Sequence, residues 1–114
     1  MKKKVEVPNN VLKDFKDKDI AKLWHEGKRV KRLLPHLGSD ELFDILQILN
    51  NIKHPLELRG LLPLKSKVRQ IKWGKRKGQW KFDLDSQFRV IFTWQEKTKK
   101  IVRLEVGEFH DERK

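Results

Sequence analysis

The sequence contains no cysteine, and this absence excludes disulfides, thiolate metal sites and cysteine nucleophiles. No apolar run is long enough to cross a bilayer, and the basic start at Met1 is not followed by the apolar segment of a signal peptide. We therefore expect a cytoplasmic protein that does not insert into a membrane. The four histidines show no metal-ligand spacing, so we expect neither a metal nor another cofactor.

Positive charge is what the sequence has in excess. The chain of 114 residues has the length of one domain, spanning 1–114, with a net charge of +12. Residues 58–114 hold 16 basic and 7 acidic residues, whereas residues 1–57 hold 12 and 9. Such an uneven basic charge is typical of proteins that bind polyanions. A charge that serves solubility, or attraction to an anionic membrane, is the alternative; strand-like basic sequence disfavours the membrane.

The beginning of the chain predicts a strand followed by a helix. Residues 3–7 alternate in polarity and stop before Pro8, which favours a short strand. Asn9 and Asn10 can cap a helix over about 11–26.

A second helix is predicted after a basic connector. Residues 27–38 contain a proline and predict a short helix or turn. Ser39 can cap a helix over about 40–53, which His54 and the following proline would end. Residues 55–64 then predict an irregular approach to a sheet.

From residue 67 onward the polarity alternates with a period of two, which predicts hairpin-linked strands. The predicted strands are 68–73, 79–84, 87–94 and 101–106, and the loops between them are 74–78, 85–86 and 95–100. Two helices ahead of such strands predict an α+β fold, with the helices on one side of an antiparallel sheet.

The alternation also assigns the two faces of this sheet. The apolar face is predicted to hold Trp80, Phe82, Leu84, Phe88, Val90, Phe92, Trp94, Val102, Leu104 and Val106. The opposite face would hold Lys81, Asp83, Arg89, Ile91, Thr93, Arg103 and Glu105. A face with this many charges is either solvated or a binding surface.

A basic stretch adjoins the charged face, because residues 65–82 contain no acidic residue. Its cations can release counterions from a nucleic acid, which gives salt-sensitive binding. We take Trp80 as a core residue, and Trp73 either as a base-stacking residue or as hairpin packing. The candidate RNA-binding residues are Lys65, Lys67, Arg69, Trp73, Arg76, Lys77, Lys81 and Arg103.

Two segments of this half resemble a known family. Residues 78–94 read Gly-Gln-Trp-Lys-Phe-Asp-Leu-Asp-Ser-Gln-Phe-Arg-Val-Ile-Phe-Thr-Trp, and residues 101–106 are followed by Glu108, Phe109 and His110. This pattern resembles HigB-type toxins of the RelE/ParE superfamily. The resemblance covers about residues 55–110, and the first 55 residues match in architecture alone.

The resemblance implies a RelE-like, microbial-ribonuclease-type fold: two N-terminal helices on a twisted antiparallel sheet. It also implies an endoribonuclease that cleaves mRNA on the ribosome without a metal and is neutralised by a HigA-like antitoxin. Arg89 would hold the phosphate oxygens, His110 would act as general acid or base, and Glu108 would orient it. Lys72 and Lys75 would add positive charge. Phe109 stands where the family often has tyrosine, so it can stack on a base but cannot transfer a proton.

Strict alternation along the last strand would turn Glu108 and His110 to the core face, away from Arg89. We therefore predict a bulge or bend at 106–108, with Gly107 allowing it. Two other functions remain open: a ParE-like toxin with a protein target such as gyrase, and a non-catalytic RNA-binding module. A salt bridge to Asp83 or Asp85 would be a purely structural role for Arg89.

Overall fold

Three helices precede four strands in the computed structural model, which describes residues 11–33, 38–85 and 87–108. The elements are α1 (Lys18–Glu26), α2 (Ser39–Leu49), α3 (Leu58–Leu61), β1 (Arg69–Gln70), β2 (Trp80–Asp83), β3 (Arg89–Gln95) and β4 (Lys100–Gly107). The strands form one antiparallel sheet in the order β1-β2-β3-β4. The expected α+β class with an antiparallel sheet is therefore confirmed. The strand expected at 3–7 and the caps Asn9 and Asn10 lie outside the described residues.

The hydrophobic core lies between the helices and one face of the sheet. Leu42, Leu46 and Leu49 follow one stripe of α2, and all three are fully buried. Phe82 and Phe92 meet this core from the sheet. Burying each such side chain contributes about 1.5–3 kcal/mol, so this layer supplies the main driving force for the fold. No helix in the described ranges is long and apolar enough to cross a membrane.

The segment from residue 11 to residue 17 is extended and not helical, so the helix expected over 11–26 begins only at Lys18. Leu12 and Phe15 form parallel bridges to Ile101 and Leu104 of β4. The Lys13 and Lys16 N–H groups donate to the carbonyls of the same two β4 residues at 2.9 and 2.8 Å. A helix here would leave those β4 groups unpaired, and this cost overrides the local helical pattern.

Side chains complete the outer edge of β4 at Val106. The Asp17 carboxylate accepts the Val106 N–H at 2.7 Å, and Arg32 Nη1 donates to the Val106 carbonyl at 2.8 Å. Arg32 also binds Asp19 through Nε at 2.6 Å. The hydrogen bond to Asp19 and the charges of Asp19 and Asp17 raise the pKa of Arg32, although burial opposes this. The turn that carries Arg32, Lys31–Leu33, confirms the short helix expected in the connector.

α2 begins at Ser39 itself, so the predicted N-cap role of Ser39 is wrong. The Ser39 hydroxyl accepts the Val30 N–H at 2.9 Å instead, which ties the connector to the start of the helix. Gly38 occupies the cap position, and its N–H donates to the Glu41 carboxylate at 3.2 Å. Ser39 thus bonds to Val30 in the connector instead of capping its own helix.

α2 also ends at Leu49, four residues before the predicted end. Asn50 follows, buried, and its Oδ1 accepts the Leu12 N–H at 2.8 Å. His54 starts the next turn, where its Nδ1 accepts the Leu56 N–H at 3.1 Å. The end of α2 is therefore set by the buried amide that receives the N-terminal segment.

β4 contains a bulge, and it lies at Arg103. Ile91 of β3 pairs with Glu105, but Thr93 pairs with Val102, so β4 holds one extra residue in between. Arg103 adopts a left-handed conformation with φ 55°, which is strained for a residue other than glycine. The bulge therefore shifts the side-chain alternation within β4.

This shift changes which β4 residues reach the core. Ile101, Leu104 and Val106 are in the core, whereas Val102 is not, so its predicted place on the apolar face is wrong. The irregularity expected at 106–108 is also wrong for the paired residues, because Val106 and Gly107 pair in regular register with Val90 and Arg89.

We expect Asp17→Ala to lower the free energy of unfolding by about 1–3 kcal/mol, because it leaves the Val106 N–H and Arg32 without their shared carboxylate. Denaturant unfolding followed by circular dichroism measures the change. Asp44→Ala removes an exposed carboxylate from α2 and is the matched control. Equal stability of the two variants would contradict this role of Asp17.

Candidate nucleic-acid interface

The sheet face opposite the helices carries charged side chains in two adjacent cross-strand rows. One row contains Arg69, Lys81, Ile91 and Glu105, and the next contains Asp83, Arg89 and Gly107. Lys81, Ile91 and Glu105 are nevertheless buried. The centre of this face is therefore shielded from solvent, and its solvent-exposed charged side chains lie around that centre.

Arg89 is held by groups at its own end of the sheet. Its Nε contacts Asp83 Oδ1 at 2.9 Å, and its Nη1 donates to the Asp85 carbonyl at 3.2 Å. The side chain is 21% exposed. Arg89 is thus partly exposed on the charged face, as predicted. It also forms the salt bridge to Asp83 that we gave as its structural role.

Asp83 also binds Arg69. The same Oδ1 atom accepts from Arg69 Nη2 at 3.3 Å, and Arg69 Nη1 donates to the Lys67 carbonyl. Two guanidinium groups therefore share one carboxylate that is 15% exposed. Within this group of three side chains, two positive charges share one negative charge.

The loop between β1 and β2 is attached to the charged face by a second ion pair. Arg76 Nη1 lies 2.6 Å from Glu105 Oε2, and Lys16 Nζ lies 3.7 Å from the same oxygen. The Glu105 side chain is only 9% exposed. We predicted Arg76 to be an RNA-binding residue, but its guanidinium group binds Glu105 within the protein. No local sequence signal indicates this pair, because Arg76 and Glu105 are 29 residues apart and meet only when the loop folds over the sheet.

The exposed cations of the basic stretch surround this attached loop. The exposed lysines are Lys65, Lys67, Lys72, Lys75 and Lys77. Trp73 lies among them with 59% of its surface exposed, so its ring is open to a ligand. Trp80 is buried as predicted, with its ring 6.0 Å from that of His54. Lys81 is buried and contacts other groups, so it does not belong to the exposed surface.

Arg103 lies apart from this cluster. It is exposed at the bulge of β4, and its N–H donates to the Asp14 carboxylate at 3.3 Å. β4 and β1 are at opposite ends of the sheet order, so Arg103 belongs to the edge covered by the N-terminal segment. It therefore does not extend the basic surface beside β1.

The end of β4 lies next to Arg89. Gly107 is the cross-strand partner of Arg89, and the Glu108 carboxylate accepts a hydrogen bond from the Gln87 side chain. Glu108 and Arg89 are therefore brought to the same end of the sheet. Phe109 and His110 lie outside the described residues.

Within the described ranges, no group of three or more histidine, aspartate or glutamate side chains is placed to hold a metal ion. No family model matches the chain, and no curated protein matches its sequence.

We expect Arg76→Ala to destabilise the protein by about 1–3 kcal/mol, because the buried Glu105 carboxylate would lose the cation that lies 2.6 Å from it. Thermal and denaturant unfolding measure the loss. Lys75→Ala removes an exposed cation from the same loop and should leave stability within about 0.5 kcal/mol of the parent. A fully stable Arg76→Ala variant would show that the loop does not depend on this pair.

We expect Trp73→Ala to weaken binding of a single-stranded RNA oligonucleotide by about 1–3 kcal/mol, because one base loses its stacking partner. Fluorescence anisotropy at fixed salt measures the affinity. Leu61→Ala is the matched control, since Leu61 is apolar and 55% exposed but lies outside the loop. If both variants bind like the parent protein, Trp73 is not a stacking residue.

Proposed function

We propose that this protein is a toxin of the HigB type that cleaves mRNA on the ribosome and so inhibits translation. The observation that carries the proposal is that Arg89 pairs across strands with Gly107, which Glu108 follows directly, so Arg89 and Glu108 lie at the same end of the sheet. His110 follows Glu108 by two residues in the sequence. A fixed guanidinium, a carboxylate and a following histidine are the groups that metal-independent RNA cleavage needs.

In the proposed reaction the ribose 2′-OH gives its proton to a base, and its oxygen attacks the adjacent phosphorus. The bond from phosphorus to the 5′ oxygen breaks, and that oxygen takes a proton from an acid. His110 is proposed for proton transfer, because an imidazole titrates near neutral pH. Glu108 would orient it, and Arg89 would stabilise the charge on the phosphorane oxygens.

The loop between β1 and β2 supports the same proposal, because it is attached to the cross-strand row next to that of Arg89. Arg76 binds Glu105, which lies two residues before Gly107 on the same strand. Same-face residues two apart on a strand are separated by roughly 7 Å, so the loop is attached one row away from Arg89. Lys75 and Lys77 flank Arg76 and are exposed, so they are the loop lysines best placed to attract the RNA backbone.

A non-catalytic RNA-binding module is the second candidate. Arg89 already has internal partners in Asp83 and the Asp85 carbonyl, which is the arrangement of a structural ion pair. Binding through the exposed lysines and Trp73 would not require Arg89 or His110. The two candidates therefore differ in whether those two residues are needed.

The proposed partner is an acidic, HigA-like antitoxin, and the proposed place of action is the cytoplasm. A groove lined by Arg59, Pro63, Leu64, Lys67 and Val68 adjoins the basic surface. Exposed leucine beside two cations suits an acidic segment that also carries apolar side chains. Restored growth on co-expression of the antitoxin, in the induction assay below, is the expected result.

Cleavage is tested by inducing the parent protein, Arg89→Ala and His110→Ala in bacteria and mapping mRNA 5′ ends. We expect defined new ends with the parent, and about 10²–10⁴-fold fewer with His110→Ala, because proton transfer is lost. Arg29→Ala and His25→Ala are matched controls at exposed positions and should cleave normally.

Equal cleavage by all variants would refute the proposed site. RNA binding without new ends in the parent would favour the non-catalytic module. Growth arrest that persists in His110→Ala without mRNA cleavage would point to a protein target such as gyrase.

A further inference from the structure

The corner formed by Arg69, Asp83 and Arg89 contains more positive charge than an ordinary ion pair. Arg89 Nε and Arg69 Nη2 both contact Asp83 Oδ1, at 2.9 and 3.3 Å. The two guanidinium nitrogens can be no farther apart than the sum of these distances. Two cations this close repel each other, and they share a single carboxylate. An anion that contacts both guanidinium groups would offset this repulsion.

Each guanidinium is also fixed by a second contact. Arg89 Nη1 donates to the Asp85 carbonyl at 3.2 Å, and Arg69 Nη1 donates to the Lys67 carbonyl. These contacts, together with Asp83, set the plane of both groups. Among the contacts of the described residues, none uses Arg89 Nη2, so this nitrogen remains for a ligand.

These side chains are as exposed as expected for a ligand-binding site, and more exposed than expected for an ion pair buried in the core. Asp83 is 15% exposed, while Arg89 and Arg69 are 21% and 38% exposed. The carboxylate is thus the most covered of the three, and the guanidinium groups are more open to solvent. A phosphate oxygen suits two such groups, because each guanidinium is a permanent cation with more N–H donors than its internal partners use.

From these contacts we infer that Asp83 is a positioning residue, which holds Arg69 and Arg89 as a two-arginine clamp for one backbone phosphate of RNA. The choice of RNA as the ligand rests on the proposed function. The clamp gains affinity because its side chains are ordered before the phosphate arrives, so less conformational entropy is lost on binding.

A positioning role for Asp83 has a consequence opposite to that of its charge. On charge alone, removing an acidic residue from a polyanion-binding surface should strengthen binding. If Asp83 positions the clamp, removing it should weaken binding although the net charge rises. The two effects have opposite signs and can therefore be separated.

The test compares full-length variants binding a short single-stranded RNA by fluorescence anisotropy at fixed ionic strength. We expect Asp83→Ala to weaken binding about tenfold, which is the scale of releasing one or two ordered side chains. Asp83→Asn keeps an oxygen acceptor and should recover part of the loss. Asp44→Ala, the matched removal of an exposed carboxylate, should bind as tightly as the parent or slightly tighter.

Arg69→Lys is the second variant and keeps the charge while losing the fork. It should bind nearly as weakly as Arg69→Ala, because one ammonium cannot contact both Asp83 and the Lys67 carbonyl in the same geometry. In an Arg69→Ala, Arg89→Ala background, Asp83→Ala should cause no further loss. If Asp83→Ala fails to fold, Arg69→Lys decides the question.

A second probe separates this inference from the nuclease proposal. Titrating the ¹⁵N-labelled parent protein with inorganic phosphate should shift the Nε–H resonances of Arg69 and Arg89. Unshifted resonances, or RNA binding by Asp83→Ala as tight as that of the parent, would overturn the clamp even if mRNA is cleaved. Phosphate and RNA binding without cleavage would leave the clamp in place and refute the nuclease.

Discussion

The outer edge of β4 is the constraint on which the rest of the structure depends. The extended segment from residue 11 to residue 17 bonds to this strand, and Asp17 and Arg32 complete the edge at Val106. A strand bonded on both sides cannot fray or accept another chain, which removes a common route to aggregation. Since β4 also carries Glu105 and Gly107, the same contacts fix the position of the charged face beside Arg89.

The bulge at Arg103 allows β4 to place Ile101 and Leu104 in the core and Glu105 on the opposite face of the sheet. Ile101 and Leu104 are three residues apart, so in a regular strand they would face opposite sides of the sheet. The extra residue lets both reach the core and leaves Glu105 on the other face, where it meets Arg76. The strain of the left-handed Arg103 is thus offset by the burial of two aliphatic side chains.

Local patterns predicted β2 and β3 well, because the alternation in 79–94 is set by neighbours a few residues away. They were wrong about the length of the strand predicted at 68–73, of which only Arg69–Gln70 form β1. They failed for 11–17, where pairing with a strand some ninety residues later overrides helix propensity. The Arg89–Asp83 pair could be anticipated, since both residues lie on one face of adjacent strands. The Arg76–Glu105 and Asp83–Arg69 contacts could not, because they depend on how the loop and β1 fold over the sheet.

The Arg76–Glu105 pair has a consequence for how an anionic ligand can approach. If the loop left the sheet, the Glu105 carboxylate would lose its 2.6 Å partner and face the incoming phosphates. Like charges would then repel. For the proposed RNA ligand, this repulsion favours binding to a preformed surface with the loop in place over an induced fit in which the loop leaves the sheet.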